Sequence, residues 1–183
     1  MKTYHISRAG RRTLAILLVG ALIIWAFAIW TFRSTVQASL MQGPTLGQVV
    51  PALLMLVLVV ATPFVIWNLL EEWSAVYTVT DDGLRYQSLG IDMLIPWSAI
   101  SATRRIDVEA EESADELLLH EDPTPQISNP LLRMLHVQAY GRRKLAIYAG
   151  VEQRDELLAA ITRRSVEGSP AAMPVPVSAS TDA

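Results

Sequence analysis

Two runs without a charged residue, Thr13 to Phe32 and Val49 to Leu70, constrain this chain more than anything else in it. A helix rises about 1.5 Å per residue, so about 20 apolar residues match a hydrocarbon core about 30 Å thick. Both runs are therefore read as transmembrane helices, over residues 13–32 and 49–70. Neither holds Asp, Glu, Lys, Arg or His, which argues against a proton relay, a pump or a charged pore. Neither contains a GxxxG pattern, so the sequence gives no support to dimerisation through the membrane and leaves the oligomeric state open. The pair reads as an anchor.

Charge sets the orientation. Lys2, Arg8, Arg11 and Arg12 precede the first run, Arg33 is the sole charge of the loop 33–48, and none of the 18 acids precedes Glu71. The positive-inside rule places residues 1–12 in the cytoplasm as a basic N-terminus, 33–48 outside, and everything after the second run back in the cytoplasm. The expected location is thus a membrane crossed twice, with both ends cytoplasmic. Trp30, Trp67 and Trp73 fall where indole anchors lie at an interface, and Trp25 shares that end of the first run. The competing reading is a cleaved signal peptide ending at Ala26-Phe27-Ala28. Against it, Ile29-Trp30 keeps the stretch apolar and a second run follows. Pro51 belongs to a first helical turn, whereas Pro63 is interior and reads as a tolerated membrane proline rather than a hinge.

After Trp73 the pattern turns to alternation rich in β-branched and aromatic residues, as strands require. Ala75–Thr80, Leu84–Leu89, Ile91–Ile95 and Ser101–Val108 are expected strands, with Leu84 and Tyr86 on one face and Arg85 and Gln87 on the other. Asp82-Gly83 signals a tight hairpin with positive φ at both turn positions, and Gly90 a second turn. The segment Asp107 to Pro130 is acidic and long. Within it Ser113-x-x-Glu116 forms a capping box before Leu117-Leu118-Leu119, so a helical turn or a short strand interrupts the loop. Leu131–Tyr140 and Leu145–Ala149 are expected to pair about Gly141-Arg142-Arg143-Lys144. Val151–Arg164 is an amphipathic helix buried through Leu157, Leu158 and Ile161, and 165–183 a disordered tail.

The run Tyr77-Thr78-Val79-Thr80-Asp81-Asp82-Gly83-Leu84-Arg85-Tyr86, then Leu89-Gly90, then Ile95-Pro96-Trp97-Ser98-Ala99-Ile100 resembles the opening of the bacterial pleckstrin-homology-like (PH-like) domains. The resemblance covers residues 74–164 and implies a mainly-β domain, a bent, open seven-stranded barrel capped by a C-terminal α-helix behind the transmembrane hairpin. Many eukaryotic relatives of the fold bind inositol phosphates in a basic pocket near the first hairpin. Here that hairpin carries Asp81 and Asp82 with only Arg85 nearby, so phosphoinositide binding does not carry over.

The residues point to binding rather than chemistry. There is no Cys, so disulfides and thiol catalysis are excluded, and any zinc site would rest on His and carboxylates. No nucleophile elbow, phosphate-binding glycine loop or calcium-loop spacing is present, so no catalytic residue, metal or cofactor is assigned. His120-Glu121-Asp122 reads as solvated loop, and His136 as a polar-face residue of its strand. The candidate site for lipid or a partner is Arg142, Arg143 and Lys144 at a hairpin tip, since each basic residue near an anionic leaflet contributes roughly 1 kcal/mol. Arg104 is a weaker candidate. Strand parity aims it at the core, and a bulge near Thr103 or a carboxylate partner accounts for it. The expected function is a membrane-anchored interaction module that is not an enzyme, with membrane lipids or a protein as partner and no nucleic acid. The alternative is an accessory subunit of a membrane transport or envelope-stress complex.

Overall fold

The computed structural model describes residues 1–43, 46–106 and 114–167. Pro44 of the expected loop turn, Ser113 of the capping box and the tail from 168 lie outside the described residues.

Two long helices dominate the N-terminal half, α1 (Arg8–Gln42) and α2 (Leu46–Trp73). Both are long and apolar enough to cross a membrane, and only 11% and 6% of their most apolar windows are buried. Helices that serve as the core of a soluble protein would be covered. Here Ile23, Phe27, Trp30, Leu54 and Val57 all face outwards, far more apolar surface than a soluble monomer leaves wet. At 35 residues α1 is about 52 Å long, so it continues past both ends of its uncharged run. Ser7 caps its start, the hydroxyl accepting from the Gly10 N–H at 3.0 Å.

Pro63 has a specific partner arrangement. Lacking an N–H, it cannot bond the carbonyl four residues earlier, which belongs to Val59. Trp25 on α1 donates its indole Nε1–H to that same carbonyl at 3.0 Å. The backbone acceptor that proline frees is thus satisfied across the helix pair, and Trp25 serves the pair rather than the headgroup layer.

The remaining elements form two antiparallel sheets. The first has the order β1-β2-β3-β4, from β1 (Lys2–His5), β2 (Val76–Val79), β3 (Gly83–Ser88) and β4 (Ile91–Pro96). The second has the order β5-β6-β7, from β5 (Ile100–Ile106), β6 (Ala114–Leu119) and β7 (Lys144–Ile147). Two helices complete the domain, α3 (Pro130–Tyr140) and α4 (Arg154–Glu167). The core gathers Tyr77, Leu84, Tyr86, Met93, Leu117 and Ile147, with Leu157 and Ile161 of α4 filling it from one side. Leu84 and Tyr86 are buried while Arg85 is exposed, as alternation requires.

Four expectations change. The expected open seven-stranded barrel is not shown: the strands lie in two separate sheets, and among the described residues β4 pairs only with β3, and β5 only with β6. The basic N-terminus joins the domain expected over 74–164, because Lys2–His5 pairs with β2 in the register Tyr4 opposite Tyr77, and Tyr4 and Ile6 are buried. The segment Leu131–Tyr140 is helix, not strand. Asn129 caps it, its side-chain oxygen accepting from the Leu131 N–H at 2.9 Å, and Pro130 takes the first helical position, where its missing N–H is harmless.

The fourth concerns the turns. Neither Asp82 nor Gly83 has positive φ; the two-residue turn with that geometry is Leu89-Gly90, at φ 42° and 83°. Gly83 is required for a different reason. A Cβ there would lie 2.2 Å from the Ile95 carbonyl oxygen. The preceding turn is held by Thr80, whose hydroxyl donates to the Gly83 carbonyl at 2.6 Å and accepts from its N–H at 3.1 Å.

Candidate functional site

The most distinctive chemistry of the described residues lies where α2 leaves its apolar run. Glu71, in the last turn of α2, is 0% exposed, an unusual position for a carboxylate. Three donors surround it. Its Oε2 accepts from Trp67 Nε1 at 3.0 Å, one turn back on the same helix. Its Oε1 accepts from the Tyr86 hydroxyl of β3 at 3.1 Å and lies 2.6 Å from Nδ1 of His136 on α3. Opposite an ionised carboxylate, that contact needs the ring proton on Nδ1. The Glu71 carbonyl also accepts from Ser88 at 2.6 Å, and Ser88 contacts the Ser74 hydroxyl at 2.6 Å. One residue therefore ties α2 to β3 and α3.

Aromatic rings extend the cluster. His136 packs with tilted rings against Tyr140 at 5.2 Å and Tyr86 at 6.1 Å. Tyr148 donates to the Tyr140 hydroxyl at 2.6 Å, and Tyr77 to the Ala146 carbonyl at 2.7 Å. Burial raises the phenols of Tyr77, Tyr86 and Tyr148 well above the ordinary tyrosine value. A carboxylate, an imidazole and a phenol in contact resemble catalytic equipment, but at 0%, 1% and 1% exposure they offer no surface to a substrate. His136 Nε2 is buried without a hydrogen-bond partner. The arrangement clamps the domain onto the helix. The expectation of a polar-face His136 is overturned, because the segment is helical and Leu132, His136 and Tyr140 share its inner face at four-residue spacing.

The basic triplet is divided. Lys144 begins β7 and its ammonium lies 2.9 Å from Glu116, which also receives Arg104 at 2.8 Å. Arg104 stands opposite Glu116 in the β5–β6 register, and the ladder shifts between Ile100 and Ala102. A carboxylate partner and a bulge thus both account for it, and its side chain is 60% exposed rather than core-facing. Beside it, buried Asp115 takes Arg154 and, at 3.5 Å, Arg105. Arg142 and Arg143 remain exposed and, among the described residues, are not ion-paired. They lie in the connection from α3 to β7, not at the tip of a hairpin.

Trp30 is exposed, whereas Trp67 and Trp73 are partly buried against the domain core. Among the described residues no three His, Asp or Glu side chains converge as metal ligands, and Asp122 is occupied in capping Thr124, at 2.9 Å from its N–H. A groove of about 580 Å³ runs along α3, lined in part by Pro130, Arg133, Met134 and Arg142. Sequence reasoning missed the Glu71 clamp and the strand β1. The signal for β1 was present in the alternation Tyr4, Ile6 against Thr3, His5, and that for α3 in Asn129-Pro130. Comparison with protein-family models, with curated proteins and with solved structures found no match.

Proposed function

We propose that the chain is a membrane-anchored PH-like interaction module of a bacterial inner membrane, with both ends cytoplasmic, whose domain is held against the leaflet and engages anionic headgroups without catalysis. The observation that carries this reading is the pairing of β1, which precedes α1, with β2, which follows α2. Such pairing needs the two chain segments on one side of the membrane, as two crossings provide. It also opposes cleavage after Ala28, which would remove β1 and leave the β2 edge unpaired. A four-stranded and a three-stranded antiparallel sheet with a C-terminal helix seated on the core support the PH-like part. The exposed pair Arg142 and Arg143 supports headgroup contact.

The test needs the full chain, because a fragment from residue 75 would lack β1. A fluorophore at Val166→Cys is unique in a chain without cysteine. Energy transfer from it to labelled headgroups is measured in vesicles with and without phosphatidylglycerol. Transfer is expected in both lipids and to be somewhat stronger in the anionic vesicles, and R142E/R143E should abolish the difference, since two basic residues contribute about 2 kcal/mol. Equal transfer in both lipids discards the headgroup reading and leaves a protein partner. A cytoplasm-specific reporter fused to the C-terminal end tests orientation, and a silent fusion overturns it.

A further inference from the structure

Outside α1 and α2, the large apolar side chains that the described residues expose are few: Met1, Leu89, Leu94, Leu131, Met134 and Val166. Leu131 and Met134 lie three residues apart on α3, one turn of the same outer stripe, at 57% and 53% exposure. Leu89 forms the tip of the β3–β4 turn. That turn touches α3, since a Cβ on Gly90 would meet Leu132 Cδ1 at 3.5 Å.

Their position is fixed by the clamp. His136 of α3 and Ser88 beside the turn both bond Glu71, one helical turn beyond Trp67 on α2. Leu131 is five residues from His136, about 7.5 Å along the helix axis. All three exposed side chains therefore belong to elements fastened to the point where α2 passes from its apolar run into the domain. Leu89 adds an independent observation. It sits at φ 42°, the left-handed region that Gly or Asn fills at little cost and Leu does not. Folding alone favours a small polar residue at this turn, yet the chain spends strain there on an exposed leucine. Arg142 and Arg143 follow the other end of α3, so the helix that carries the apolar stripe ends in exposed basic residues, a composition suited to an anionic interface.

We infer that α3 and the β3–β4 turn form an interfacial foot, with Leu89, Leu131 and Met134 seated at the headgroup–acyl boundary of the leaflet through which α1 and α2 pass. This rests on the reading that the domain lies against that leaflet, and it names apolar insertion, beside charge, as what holds it there.

The absence of cysteine makes each probe unique. Nitroxide labels at L89C, L131C and M134C, with D82C and V166C as aqueous controls, are placed one at a time in the full chain. The chain is reconstituted into pure phosphatidylcholine vesicles and into vesicles containing phosphatidylglycerol. Relaxation by oxygen, which partitions into lipid, is compared with relaxation by a water-soluble nickel chelate. The foot requires oxygen to dominate at 89, 131 and 134 in both lipids, and the chelate to dominate at 82 and 166. Dominance of the chelate at the three foot positions overturns it. Oxygen dominance only in anionic vesicles also overturns apolar insertion while leaving the Arg142–Arg143 reading in place. Labels shielded from both reagents mean that a second copy or another protein covers the face, which overturns it as well.

Discussion

Replacing Glu71 by Ala removes the acceptor shared by Trp67, Tyr86 and His136. The indole of Trp67 is only partly buried and can turn to water or headgroups, so its loss costs little. Tyr86 and His136 are sealed, and each buried donor left without a partner costs about 1–3 kcal/mol. Two such donors stranded together make about 2–6 kcal/mol the expected loss for Glu71→Ala. Tyr86→Phe removes one of three donors from an acceptor that keeps the other two, so it should cost only about 1 kcal/mol. The size of each loss, not their order, is the test, because lost volume alone gives the same order: Glu71→Ala removes a methylene and a carboxylate, Tyr86→Phe a single oxygen. Equilibrium urea unfolding of the full chain in detergent micelles, followed by tryptophan fluorescence, reads both. A Glu71→Ala loss below about 1 kcal/mol, or a Tyr86→Phe loss as large as that of Glu71→Ala, refutes the clamp.

Trp25→Phe should destabilise the helix pair by about 0.6–1.7 kcal/mol, the range for hydrogen bonds between membrane helices. The cost should nearly vanish in a Pro63→Ala background, where an N–H returns to Val59; a double-mutant cycle in micelles with no coupling rejects the pairing. Gly83→Ala forces a methyl group against the Ile95 carbonyl and should cost about 1–3 kcal/mol as overpacking, visible as a lowered unfolding midpoint. Because Tyr77, Tyr86 and Tyr148 hold their protons above the unfolded value of 10.0, the stability they contribute is complete below about pH 10 and is lost as pH rises beyond it. Alkaline titration should therefore show tyrosinate absorbance rising together with loss of strand signal, whereas early, non-cooperative ionisation would contradict their burial.

The elements legible in the sequence are those whose cause is local. An uncharged apolar run of about 20 residues is long enough to span a membrane wherever it occurs, and alternation about Leu84 and Tyr86 reports a half-buried strand without reference to the partner. Leu157 and Ile161 likewise reveal α4. The segment Leu131–Tyr140 defeats such reading because its apolar residues satisfy both periods, and only Asn129-Pro130 distinguishes a helix start from a strand. The Glu71 clamp was illegible for a different reason. Its partners lie 15 and 65 positions away, and a glutamate one turn beyond a tryptophan at a membrane exit looks like an ordinary solvated end. Likewise Asp82-Gly83 named the right hairpin for the wrong reason, since the glycine answers to the neighbouring strand's carbonyl rather than to its own φ.

The connections between spans and domain leave little room for a hinge. Only Ile6 and Ser7 separate β1 from α1, and only Ser74 and Ala75 separate α2 from β2. Each is held: Ile6 bridges Val151, the Ser7 N–H donates to Gly150 at 2.8 Å, and Ser74 donates to Leu70 at 3.0 Å. Gly10 lies so close to Gly150 that a Cβ would stand 3.0 Å from its Cα, fixing the base of α1 on the β7–α4 connection. Rotating one span against the other therefore shears β1 along β2, and tilting the domain strains Glu71. On the proposed reading, a domain held in this way does not need affinity to find the leaflet. Two exposed arginines worth about 2 kcal/mol would be a poor anchor for a free protein, but on that reading they would suffice to select headgroup charge for a domain tethered at the surface.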